Sequence, residues 1–205
     1  MKRFDTSLYL ITEASIGHER MLEQVRKGIE GGVTLVQLRE KSGTTREMID
    51  IATRLHKITA SYGVPLIIDD RVDVALAVGA EGVHLGKEDM PVDVARKILG
   101  KNKIIGATAK TVEAAVDAYN KGADYLGVGA IYPTTTKVKT VITSVDTLKD
   151  ICAAVPIHVN AIGGLNSENV HILKDADIDG ICVVSAIMKA EDAKAAAQKL
   201  KEWRK

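Results

Sequence analysis

Leu66-Ile67-Ile68-Asp69-Asp70-Arg71-Val72-Asp73, running on to Gly82-Val83-His84-Leu85-Gly86-Lys87-Glu88-Asp89, reads as strand, short helix and strand. Val64 to Ile68 is a short apolar run after Gly63, as in a parallel strand buried on both faces. Val72 to Val78 has helical spacing, and Gly79 supplies a C-cap. Gly82 to Leu85 is the next strand. Each strand runs into carboxylates, Asp69-Asp70 after the first and Glu88-Asp89 after the second. Consecutive strands of a right-handed parallel unit are usually neighbours, so both acidic groups fall on one rim. Two carboxylates on a polar rim can hold Mg²⁺, which keeps several waters and takes further ligands from substrate phosphates.

The same unit recurs outward in both directions. Aliphatic runs at Leu8–Thr12, Val33–Leu38, Val64–Ile68, Gly82–Leu85, Lys103–Ala107, Tyr125–Ala130, Ile157–Ala161 and Gly180–Ser185 predict eight strands. Between and after them, helical patterns cover Glu19–Glu30, Thr45–Tyr62, Val72–Val78, Pro91–Leu99, Val112–Lys121, Ser144–Ala153, Ser167–Lys174 and Ala190–Trp203. Gly31-Gly32-Val33, Gly79-Ala80-Glu81-Gly82, Gly122-Ala123-Asp124-Tyr125 and Asp177-Ile178-Asp179-Gly180 share one punctuation, each a helix end turning into a strand. Strict alternation with eight repeats predicts an α/β fold, a single-domain (β/α)8 TIM barrel with few insertions. A doubly wound open sheet would place a glycine-rich turn after the first strand, and Thr12-Glu13-Ala14-Ser15 is not one.

The chain has 205 residues, enough for one large core, and is 46% hydrophobic but only 3% aromatic. The core must therefore be built from Val, Ile, Leu and Ala. With 28 basic and 27 acidic side chains the net charge is +1, so nothing in bulk charge points to nucleic acid or a membrane surface. No apolar run approaches the ~20 residues of a membrane span. Cys152 and Cys182 lie in apolar surroundings with no signal peptide ahead of them, which suits reduced thiols in a cytoplasmic protein. A homo-oligomer is left open.

In a barrel, function lies at the C-terminal strand ends. Strand two ends in Gln37, Arg39 and Lys41, which share a side because alternate strand residues point the same way. One neutral amide and two cations suit a substrate with a polar ring and a phosphate. Asp70 could instead cap the following helix, but capping does not explain acids on two successive strands. Thr108, at the fifth strand end, either caps a helix or meets phosphate. Pro133-Thr134-Thr135-Thr136-Lys137-Val138-Lys139-Thr140 is read as a mobile anion-binding lid. Gly163-Gly164 after strand seven allows close backbone approach, and Ser185 adds a hydroxyl where this fold commonly cradles phosphate. His84 and His158 lie in strands and are read as satisfied core or rim residues; no histidine pair has metal-ligand spacing. No serine or cysteine nucleophile has a partner base. The expected site thus holds a metal-bound diphosphate near Asp70, Asp89, Arg39, Lys41 and Lys137, and a monophosphate near Gly164 and Ser185.

Val36-Gln37-Leu38-Arg39-Glu40-Lys41, Asp70 to Leu76, Gly82 to Gly86 with Glu88-Asp89-Met90-Pro91, Pro133 to Lys137, Ile162-Gly163-Gly164 and Val184-Ser185-Ala186-Ile187 resemble, in order and over essentially the whole chain, the motifs of the thiamine phosphate synthase family. The resemblance implies a transferase of thiamine biosynthesis that joins a pyrimidine diphosphate to a thiazole phosphate with release of pyrophosphate. It implies Mg²⁺ on Asp70 and Asp89. Arg39, Lys41 and Lys137 would hold the diphosphate, with Asp69 and Thr108 nearby, and Gln37 would contact the pyrimidine. Thr134, Thr136, Gly164, Val184 and Ser185 would bind the thiazole phosphate, with Leu38, Glu40 and Thr135 in the same substrate-binding segments. The family mechanism is dissociative, through a pyrimidine-methyl cation. Three departures stand out. Asp69 replaces a common Asn, which should weaken diphosphate binding unless the acid is protonated or recruits more metal. Thr108 replaces a common serine. The segment after Lys137 lacks a usual glycine, with Ser144 near its place. The alternatives are a thiazole tautomerase, which lacks the paired acids and the full Gln-Arg-Lys set, and a non-catalytic phosphate-binding regulator.

Overall fold

The computed structural model describes residues 4–133 and 141–203. Eight strands, β1 (Leu8–Ile11), β2 (Leu35–Leu38), β3 (Leu66–Asp69), β4 (Gly82–Leu85), β5 (Ile104–Ala109), β6 (Tyr125–Gly129), β7 (His158–Ile162) and β8 (Gly180–Val183), form a closed parallel barrel in chain order. β8 closes on β1 with Tyr9 opposite Cys182. The helices are α1 (His18–Glu30), α2 (Thr45–Ser61), α3 (Val72–Val78), α4 (Val92–Leu99), α5 (Val112–Asn120), α6 (Val145–Ala154), α7 (Ser185–Met188) and α8 (Ala193–Lys201).

Strand alternation sorts the core into two regions. Leu8, Leu10, Val36, Leu38, Leu66 and Ile68 join the layer packed against the helices, while Tyr9, Ile11, Leu35, Ile67, Tyr125 and Cys182 fill the barrel interior. The interior is not uniformly aliphatic. Two of its largest members are tyrosines, and glycines make room for them. A Cβ on Gly106 would lie 2.0 Å from the Tyr125 ring.

The recurring punctuation has a physical cause. The residue before each even-numbered strand accepts a hydrogen bond from an N–H near the start of the preceding odd-numbered strand. Thr34 takes Leu8 at 3.2 Å, Glu81 takes Leu66 at 2.8 Å, Asp124 takes Ile105 at 2.9 Å and Asp179 takes Val159 at 2.9 Å. These side chains pin the N-terminal rim in pairs of strands. Asp124 also receives Arg96 at 2.5 Å. Asp124→Ala would leave the Ile105 N–H without this acceptor and take the carboxylate from Arg96, which keeps the Gly100, Lys103 and Gly122 carbonyls, and is expected to destabilise the protein by about 1–3 kcal/mol. Thermal melting checks this as a fall of about 2–4 °C per kcal/mol.

Several boundaries shift by one or two residues from the sequence reading, β2 and β3 starting at Leu35 and Leu66 among them, and four differences have a clear local reason. β5 runs two residues further, to Ala109, because Ala109 pairs with Val128 on β6. Between β7 and β8 only Val170–Leu173 is helical, as a 3-10 turn. There the Asn166 carboxamide accepts the Glu168 N–H at 2.8 Å and Asn169 accepts that of Asn166 at 2.9 Å, competing with an α-helix. β8 stops at Val183, so Ser185 opens α7 instead of ending a strand. The last helix starts at Ala193 because Asp192 caps it, accepting from the Ala195 N–H at 3.0 Å.

Candidate active site

A cavity of about 460 Å³ opens at the C-terminal ends of the strands. β2 and the turn after it deliver Gln37, Arg39 and Lys41 to its wall, and β3 delivers Asp69 and Asp70. Asp89 comes from the loop after β4, Thr108 from β5, and Gly163, Gly164, Val184 and Ser185 from the opposite side. Leu38 and Glu40 alternate away from it. Leu38 is buried against the helices, and Glu40 accepts from the Ser42 hydroxyl at 2.9 Å and lies 3.2 Å from His18. Thr134, Thr135, Thr136 and Lys137 lie outside the described residues, as does most of the expected lid.

The carboxylates and cations interlock. Lys41 Nζ is 2.7 Å from Asp69 Oδ2 and also donates to Asp70, while Arg39 Nε lies 3.9 Å from Asp69. Burial acts to lower the Lys41 ammonium, but the two carboxylates outweigh it and hold its pKa above the usual value. Burial pushes the Asp69 carboxyl up against the pull of Lys41. The extra acid at position 69 is therefore compensated by an ion pair within the protein, an arrangement the sequence reading did not foresee. Asp70 sits at φ 60, in the left-handed region that Asp tolerates better than most residues. Its N–H bonds the His84 carbonyl at 2.9 Å, so the turn ties β3 to β4 at the site. Asp70 does not cap α3: Arg71 occupies that position without a side-chain cap and pairs with Asp73 at 2.6 Å.

Asp89 accepts the Gly86 N–H at 2.7 Å through Oδ2. Burial raises its pKa; the Gly86 hydrogen bond opposes the rise and the neighbouring Asp70 adds to it. Two acids this close, each with an oxygen beyond those bonds, match what Mg²⁺ asks of a protein: one or two carboxylates, with water and phosphate completing the shell. Among the described residues no group of three or more His, Cys, Asp or Glu side chains is placed to hold a metal.

Gly163 and Gly164 have φ 106 and 65, and a Cβ on Gly164 would meet Tyr132 at 2.7 Å and the Pro133 carbonyl at 2.8 Å. Only glycine fits this turn. Thr108 is not a helix cap, since Thr111 caps α5. Its hydroxyl lies 3.0 Å from His84 Nε2. Ser144 caps α6, accepting from the Thr147 N–H at 3.0 Å.

Sequence reasoning missed Tyr9, Lys110 and Cys182, and set His84 aside; all four line the cavity. Lys110 was legible in principle, because a strand continued to Ala109 places Thr108 and Lys110 on one side. Tyr9 was not, since β1 is apolar on both faces. Burial pushes the Cys182 thiol far up, so it is no thiolate nucleophile.

Apart from Tyr9 and Cys182 inside the barrel, the polar groups of this cavity stand near or beyond the strands' C-terminal ends, and that places the chain among (β/α)8-barrel proteins whose site is built from strand-end loops. The family model described as thiamine monophosphate synthase matches residues 8–187. A thiamine-phosphate synthase of Clostridium tetani is 50% identical over 200 residues, covering 97% of this chain and 96% of that protein. Thiamine-phosphate synthase 2 of Streptococcus pneumoniae is 51% identical over 199 residues, covering 97% and 95%. Among solved structures, a thiamine phosphate pyrophosphorylase from Pyrococcus furiosus superposes with a TM-score of 0.89 at 43% identity, covering 97% of this chain and 95% of that one. A 3-hexulose-6-phosphate synthase, at TM-score 0.71 and 17% identity, shares the fold. The chain belongs to the thiamine monophosphate synthase family. No helix among the described residues is long and apolar enough to cross a membrane.

Proposed function

We propose that the protein is a Mg²⁺-dependent thiamine phosphate synthase, joining hydroxymethylpyrimidine diphosphate to thiazole phosphate and releasing pyrophosphate. The observation that carries this is the meeting, in one cavity, of an amide–cation–acid wall (Gln37, Arg39, Lys41, Asp70, Asp89) with a glycine turn and a serine (Gly163, Gly164, Ser185) facing it. Gln37 takes the pyrimidine ring. Arg39 and Lys41 hold the diphosphate, and Lys137, next after Thr136 in the sequence, is assigned the same role. Thr134, Thr136, Gly164, Val184 and Ser185 take the thiazole phosphate.

Asp70 and Asp89 are the residues that would hold Mg²⁺, which supplies charge neutralisation to a departing diphosphate. Lys41, lodged between two acids, exchanges a carboxylate for a phosphate oxygen as the substrate enters. Cations fixed in advance where charge develops favour departure of pyrophosphate from the pyrimidine-methyl carbon, and the thiazole nitrogen then forms the new C–N bond. No protein nucleophile is needed.

Mixing the purified protein with both substrates tests the reading. Pyrophosphate release is expected only when both halves and Mg²⁺ are present. No release, with thiazole phosphate still binding tightly, would overturn it in favour of a non-catalytic phosphate-binding role.

A further inference from the structure

Beneath the cavity five polar side chains, each from a different strand, form one hydrogen-bonded chain. Gln37 on β2 donates from Nε2 to the Tyr9 hydroxyl on β1 at 2.6 Å. The Tyr9 hydroxyl lies 2.7 Å from that of Tyr125 on β6, which lies 3.0 Å from Nδ1 of His84 on β4. His84 Nε2 then lies 3.0 Å from Oγ1 of Thr108 on β5. Gln37, Tyr9 and Tyr125 are buried, and Thr108 is exposed at the far end. Gln37, Tyr9, His84 and Thr108 line the cavity; Tyr125 does not.

Counting protons settles the direction of the chain. A phenol has one proton, and the Tyr9 oxygen already accepts from Gln37. If it accepted from Tyr125 as well, its own proton would be buried with no acceptor among the described residues. Tyr9 therefore donates to Tyr125. Tyr125 in turn donates to His84 Nδ1, which must be the unprotonated nitrogen. His84 is then the Nε2–H tautomer, donating to Thr108, whose own proton is left for the cavity. At the other end one of the two Gln37 Nε2 protons goes to Tyr9, which fixes the orientation of the amide and so the position of its acceptor, Oε1. Burial raises both phenols well above their ordinary range, which keeps both protons in place.

We propose that Tyr125 is a positioning residue that sets the Gln37 amide and the His84 tautomer together, so that the site presents a fixed acceptor at Gln37 and a fixed donor at Thr108 to a nitrogen heteroaromatic ring. The ring part rests on the reading of Gln37 as the pyrimidine contact; the chain itself does not. Without the Tyr125 oxygen the Tyr9 proton turns to Gln37 Oε1, and the amide reverses to present N–H to the ring. An amino substituent is then met by a donor, whereas an oxo substituent becomes acceptable.

The test uses Tyr125→Phe and Tyr9→Phe, both of which keep the ring packed. In the ligand-free protein, long-range ¹H–¹⁵N spectra of the imidazoles are expected to show His84 as Nε2–H, to lose that single tautomer in Tyr125→Phe and to keep it in Tyr9→Phe. In turnover assays Tyr125→Phe is expected to lower the preference for the aminopyrimidine diphosphate over its oxo analogue by about tenfold, the scale of one hydrogen bond. The KM for thiazole phosphate should stay within about twofold. A wild-type His84 protonated at Nδ1, or a tautomer unchanged by Tyr125→Phe, overturns the chain whatever the enzyme turns over. A changed tautomer with both KM values rising alike overturns its link to the ring. A changed tautomer in a protein that releases no pyrophosphate supports the chain and removes the synthase reading alone.

Discussion

Asp89→Ala is expected to lower Mg²⁺-dependent pyrophosphate release by about 10²–10³-fold, the range for removing one preorganised electrostatic contact to developing charge. Asp89 has two tasks that the substitution separates poorly, since its Oδ2 also holds the Gly86 N–H at 2.7 Å. Asp89→Asn separates them. It keeps an acceptor for Gly86 while removing the charge that faces Asp70. Both variants should therefore lose activity, with Asn preserving the melting temperature better than Ala. Rate against Mg²⁺ concentration is the deciding measurement. Either variant with wild-type rate and wild-type Mg²⁺ dependence would remove Asp89 from the metal site. Removing Asp89 also takes away a like charge beside Asp70, so in Asp89→Ala the Lys41–Asp70 pair should tighten and hold the resting arrangement more firmly.

Gly106→Ala is the second large effect, and it acts through packing. Position 106 pairs with Tyr125 in the β5–β6 register, and the added methyl would lie 2.0 Å from Cζ and 2.3 Å from the hydroxyl of that ring. Tyr125 is fully buried between Tyr9 and Phe4, with edge-on ring contacts at 5.7 and 6.0 Å. The ring has no free direction in which to move. Overpacking of this kind costs about 1–3 kcal/mol or more, which lowers the melting temperature of a chain this size by about 2–4 °C per kcal/mol. Because the displaced group carries the hydroxyl that links Tyr9 to His84, affinity for the pyrimidine half should fall in the same variant. Gly106→Ala combined with Tyr125→Leu should recover part of the stability and none of that affinity. Full stability in Gly106→Ala alone would show that the barrel interior is looser than this packing implies.

The barrel and the location of the site were legible because both depend on short-range patterns. Aliphatic runs separated by helical faces define βα units, and chain order with right-handed crossovers leaves little choice of topology. The Glu81, Asp124 and Asp179 turns repeat because each closes a pair of consecutive strands at the N-terminal rim through a hydrogen bond within one β–α–β unit. Polar residues at strand ends stood out for the same reason: Gln37 interrupts an apolar run, and Arg39, Lys41, Asp69, Asp70 and Asp89 follow directly where such runs end.

Side-chain direction and long-range pairing were decided only by the tertiary structure. Leu38 and Glu40 sit among the site residues in sequence, yet the pleat turns them away. Lys41 finds its partners 28 and 29 residues on, in Asp69 and Asp70, and no spacing rule announces that an extra acid will be held by a cation. Tyr9 and Tyr125 are 116 residues apart and meet inside the barrel. Strands apolar on both faces carry no contrast from which to read which residues face inward, and closure of the barrel, with Gly106 vacating the space, brings these two hydroxyls together.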